Sequence, residues 1–120
     1  MLLISSCAMT KEGKRIKRGS KVLRDSQVLL YASWEGTVGH LNLAIRTNNF
    51  FTMNEFAFFV WEFYAGTWTR SNDTIHLNYI DGHKRSDLLD YVLVDEKEIR
   101  LTRIDSLPPI RLMIKYRKLE

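Results

Sequence analysis

Gly66-Thr67-Trp68-Thr69-Arg70-Ser71-Asn72-Asp73-Thr74-Ile75-His76-Leu77-Asn78-Tyr79 is the stretch whose reading decides the fold. Successive side chains on a strand point to opposite faces, so a strict alternation of apolar and polar residues marks a half-buried strand. Thr67, Thr69 and Ser71 define an outer face, which leaves Gly66 and Trp68, with Tyr64 before them, facing inward. Asn72-Asp73 supplies turn residues, and the same alternation then resumes with Ile75, Leu77 and Tyr79 against Thr74, His76 and Asn78. Two antiparallel strands joined by a tight turn are the unit, and Gly66 is read as bare backbone over which an aromatic ring can lie.

The unit repeats outward in both directions. Upstream come Val28 to Glu35, the turn Gly36 to Gly39, His40 to Arg46, the turn Thr47-Asn48-Asn49, Phe50 to Asn54, and Val60 to Ser71. Downstream, Asp81 to Lys84 turns the chain, and Asp87 to Asp90 reads as a helical turn before Tyr91 to Val94. Asp95-Glu96-Lys97 leads into Glu98 to Ile104, and Pro108-Pro109 interrupts the ladder before Ile110 to Arg117. Strands at intervals of about ten residues point to an all-β antiparallel barrel or sandwich. About eight strands, with no amphipathic helix of three turns, predict an up-and-down barrel, since closure removes exposed edges.

The 120-residue chain has room for one domain. Its one cysteine excludes an intrachain disulfide and a cysteine-based zinc site. Charge is unevenly placed. Residues 1–24 hold seven basic side chains (Lys11, Lys14, Arg15, Lys17, Arg18, Lys21, Arg24) against Glu12, whereas residues 25–120 are slightly acidic. With few apolar residues past Met9 and with Gly13 and Gly19 in it, the 1–24 segment reads as a flexible basic tether on a 25–120 barrel domain.

Two resemblances add to this reading. Ile4-Ser5-Ser6-Cys7, behind Met1-Leu2-Leu3, resembles the lipobox of bacterial lipoproteins. The resemblance implies cleavage before Cys7, a diacylglyceryl group on its sulfur, and a membrane-anchored place in the cell envelope. Only six residues precede Cys7, so it further implies a start upstream of Met1; with Met1 as the start, the chain would be cytoplasmic. The stretch from Tyr64 to Tyr79 resembles a hairpin of small bacterial lipocalin-like barrels, in which a Gly-x-aromatic strand runs into an Asp-Thr-Ile-x-Leu strand. That likeness implies the barrel and leaves its role open.

No phosphate loop, metalloprotease helix, nucleophile elbow or calcium loop is present, so neither catalysis nor a cofactor or metal is expected. His40 and His76 read as surface histidines, and the acidic residues from Asp87 to Glu98 as turn and edge groups. Nine of the fourteen aromatics lie between Phe50 and Trp68, more than alternation can place inside. Period two sets Trp61 and Phe63 outside while Trp68 is inside, unless a bulge near Glu62 resets the phase. The first expectation is thus an apolar small molecule, lipid or envelope component held by Trp34, Tyr64, Trp68 and Tyr79. The second is a protein-interaction or inhibitor module using an exposed Trp61/Phe63 face. The third is a nucleic-acid binder using the basic arm with Arg111, Lys115, Arg117 and Lys118.

Overall fold

The computed structural model describes residues 11–120, so Cys7 and the lipobox-like stretch lie outside the described residues. Helix α1 (Lys11–Arg24) precedes eight strands: β1 (Val28–Glu35), β2 (Gly39–Arg46), β3 (Phe50–Ala57), β4 (Val60–Ser71), β5 (Thr74–Tyr79), β6 (Leu88–Val94), β7 (Glu98–Arg103) and β8 (Ile110–Arg117). Each strand pairs antiparallel with the next, and β8 returns to β1, closing the barrel. The expected up-and-down barrel is therefore present, and β8 begins directly after the proline pair.

Two local expectations are corrected. The residues read as a helical turn at 87–90 largely belong to β6, and the short 3-10 turn falls earlier, at Ile80–Gly82. Strand β3 runs on past Asn54 to Ala57, because its partner β4 continues the ladder to Val60.

Alternation builds the interior as read. Leu43, Ile45, Phe51, Met53, Ile75 and Leu112 are wholly buried, and the barrel centre is packed solid with such residues. The β3–β4 register runs unbroken from Phe50 opposite Thr67 to Ala57 opposite Val60, so no bulge resets the phase at Glu62. Trp61 accordingly lies outside, 64% exposed, while Trp68 packs against the core from one end.

The flexible tether is the main correction. Residues 11–24 form a helix of nearly four turns that lies against β3 and β4. Its seat is a row of small outward residues, Ala44, Thr52 and Ala65, which are direct cross-strand neighbours and are all buried. Onto them α1 turns Gly19 and Val22, both buried. Gly19 permits the close approach, since a β-carbon there would come within 2.5 Å of the Phe63 ring. Below it the C-terminal end is pinned: Asn48 Nδ2 donates to the Asp25 carbonyl at 2.7 Å, and Arg46 Nε donates to Ser26 Oγ at 2.8 Å.

A buried valine contributes roughly 1.5–3 kcal/mol over an exposed one. Val22→Ser should therefore lower stability by about that amount, measured by urea unfolding with circular dichroism. An unchanged midpoint would mean that the helix adds nothing to the barrel.

Candidate functional site

Up-and-down topology sends alternate loops to opposite ends of the barrel. One end gathers the tight turns at 47–49, 72–73 and 95–97. The other gathers the longer links at 36–38, 80–87 and 104–109, together with the two-residue β3–β4 turn at Phe58-Phe59. The second end is the open one. A cleft of about 560 Å³ lies there, walled by Trp34, Val38, Leu41, Phe56, Phe58 and Ile110, with Glu55, Arg85 and Arg111 as its charged groups.

The cleft has an ionic floor. Arg85 donates to Glu55 Oε2 at 2.9 Å and grips Asp87 with two nearly parallel bonds of 2.8 and 2.7 Å. Arg103 Nε adds a 3.2 Å contact to the same Asp87 carboxylate. Two cations thus face two anions, and their side chains are only 20–27% exposed. Such a set holds its geometry because removing any one member would leave a desolvated charge behind. Tyr64 reaches the floor from β4, its hydroxyl 3.4 Å from Glu55 Oε1. Burial, and then the negative charges of Glu55 and Glu62, push the Tyr64 phenol up to about 12, so it stays a neutral donor. His83 stacks on the Tyr64 ring at 5.0 Å, with Nε2 3.4 Å from the Glu62 carboxylate.

Burial opposes ionisation of Asp87, but the bonds from Arg85 and the charges of Arg85 and Arg103 outweigh it and hold the carboxyl below its usual range. A lowered pKa in the folded state makes the charged form stabilising above the unfolded value, about 3.9, and that stability is lost as pH falls below it. Asp87→Asn should cost about 1.5–3 kcal/mol at neutral pH, the usual scale for a hydrogen bond to a charged group. The gap between the two proteins should narrow as pH drops through and below about 4. A gap that stayed constant with pH would exclude an ionised Asp87 from the floor.

The cleft brings together part of the expected ligand set. Trp34 stands in its wall and Tyr64 in its floor. Tyr79 lies deeper, buried and packed edge-on against Phe51 at 5.1 Å and Tyr64 at 6.4 Å. Trp68 is away from the cleft altogether, its Nε1 donating to the Arg46 carbonyl near the closed end. The expected outer pair is also divided. Phe63 lies under α1 at Gly19, whereas Trp61 remains open, its ring tilted against Phe56 and edge-on to His40. A smaller hollow of about 200 Å³ separates Trp61 from Arg15 and Ile16 of α1.

Sequence reading missed the floor. By sequence Asp87 reads as a turn and edge acid and Arg85 carries no signal of its own, yet Asp87 accepts from both Arg85 and Arg103 in the network. Asp95 does take the expected turn role, accepting from the backbone N–H groups of Lys97 and Glu98, both at 2.8 Å. The one available signal was the Arg85-x-Asp87 spacing, which on an extended chain puts both side chains on one face.

Fold and site together define a class: a small closed antiparallel barrel, a helix strapped to its side, and a charged-floored cleft at one mouth. No protein-family model matches the sequence, and neither curated proteins nor solved structures provide a match.

Proposed function

We propose that the chain is a bacterial cell-envelope lipoprotein, anchored through Cys7, whose barrel binds an apolar or amphipathic small molecule or lipid at its mouth. The observation that carries the binding reading is the cleft itself. Its volume falls within the range of small-molecule sites, and it sets apolar walls over a few fixed polar groups. An apolar body would lie against Trp34, Phe58 and Ile110, and a polar head would meet Arg85 and Glu55. Binding would occur at the mouth, because the barrel centre is already filled by side chains.

The test is a fluorescence titration of the full chain with an anilinonaphthalene sulfonate probe. Saturable one-to-one binding at micromolar concentration is expected, and Ile110→Glu should abolish it by placing a charge in the apolar wall. Non-saturable binding, or binding unchanged in the variant, would remove the cleft from the proposal. The anchor is tested separately by labelling bacteria with a palmitate analogue, where Cys7→Ala should lose the label.

A further inference from the structure

The β3–β4 turn is built from residues that ordinarily avoid its geometry. Ala57 pairs with Val60, so Phe58 and Phe59 form a two-residue hairpin loop, and both have positive φ, 50° and 66°. A two-residue turn with positive φ at both positions is normally filled by Asn-Gly or similar small residues. The chain follows that habit elsewhere: among the described residues, the other positive-φ positions are all Asn, Asp, Ser or Gly. Only here do two bulky rings adopt this conformation, and it is a strained one for them.

Burial does not compensate for the strain. Phe58 is 75% exposed and Phe59 93%, with Val60 and Trp61 following at 59% and 64%. Val38, on the neighbouring β1–β2 link, is exposed beside them and shares a hollow with Phe58 and Phe59. The rings therefore project from the barrel end as an apolar tip, and their strained, exposed placement points to a contact outside this chain.

Two further observations bear on the occupant. The end of α1 that leads back to residues 1–10 lies at the same end of the barrel. Arg15 and Ile16 stand beside Trp61, while the helix C-terminus is pinned at Asn48 by the opposite end. That helix also presents exposed Lys14 and Lys17, in the same turn as Arg15 and Ile16 at this end of the barrel. Aromatic rings at a projecting end, flanked by lysines, match the chemistry of a bilayer interface with anionic headgroups.

We propose that the Phe58-Phe59 tip docks into the interfacial region of an anionic lipid bilayer, with Lys14 and Lys17 of α1 against the headgroups. Phe58 belongs both to the tip and to the cleft wall, so docking sets the cleft mouth at the lipid surface. The inference does not rest on lipidation of Cys7, and it is tested on the unlipidated chain so that the two can fail separately.

The experiment is vesicle flotation with equimolar phosphatidylcholine and phosphatidylglycerol, comparing the wild type with the double variant Phe58→Asn/Phe59→Gly. Asn-Gly suits the turn, so the variant should unfold at a higher temperature than the wild type while its vesicle partitioning falls about tenfold or more. Loss of binding in a more stable protein cannot be ascribed to misfolding. Absence of wild-type flotation would overturn the proposal, as would equal flotation of both proteins. Sedimentation supplies a further check: a wild-type dimer that the variant dissolves, with no vesicle binding, would make the occupant a second copy of the chain and overturn the proposal as well.

Discussion

Phe51→Ala is expected to destabilise the protein by about 3–5 kcal/mol, the usual consequence of emptying a large aromatic core site. Phe51 is wholly buried at the middle of the barrel, where its ring meets Tyr79 edge-on with centroids 5.1 Å apart and planes at 86°. It sits directly opposite Gly66 on β4, and its Cε1 occupies the space that a side chain at residue 66 would need. Truncation therefore removes an aromatic pair and leaves a void facing a residue with no side chain to fill it. Domains of this kind are stable by only about 5–15 kcal/mol, so the loss would be a large share of the total. Urea unfolding of both proteins measures it. A loss below about 1 kcal/mol would mean that the barrel collapses around the site far more readily than packed interiors do.

The second large effect comes from the opposite change at the same place. Gly66→Ala should cost about 3 kcal/mol, at the upper end for overpacking, because the nearest obstacle is backbone. A β-carbon at 66 would lie 1.9 Å from the Asn78 carbonyl oxygen and 2.9 Å from Phe51 Cε1. The ring could swing aside, but the carbonyl belongs to β5, whose ladder with β4 holds it in place. For this reason the double variant Phe51→Ala/Gly66→Ala should recover little of the Gly66→Ala loss. Full recovery would identify the ring, and not the strand, as the obstacle. Thermal unfolding is a sensitive readout, since 1 kcal/mol shifts the midpoint by several degrees in a domain of this size.

These two residues also show why much of the barrel was legible. Period two is a local property: each residue of a strand tells its neighbours which way to face. The alternation around Trp68 and Ile75 therefore sufficed to place Gly66, Trp68, Ile75, Leu77 and Tyr79 inside, whereas Trp61 outside needed the unbroken β3–β4 register as well. Turn residues at 47–49, 72–73 and 95–97 marked the links, and the proline pair marked where β8 begins.

The helix and the site behaved otherwise. Helix α1 docks through Gly19 and Val22 onto Ala44, Thr52 and Ala65, a contact of mostly small residues whose apolar face on the helix is short, Ile16, Val22 and Leu23 among many cations. A basic, glycine-containing stretch therefore read as a tether, although lysine and arginine are good helix formers once a surface receives their backbone. The ionic floor joins Glu55, Arg85, Asp87 and Arg103 from β3, the β5–β6 link and β7, and no spacing along the chain announces a contact across thirty residues. Phe58 and Phe59 fell between two expected strands, and only the β3–β4 register made them a two-residue turn. Local alternation by itself determined how many strands there are, most of their faces and their up-and-down order, but not the ends of β3 and β6. Closure of the barrel decided the remainder, because only three-dimensional proximity assembles the floor, seats the helix and leaves two strained phenylalanines facing outward.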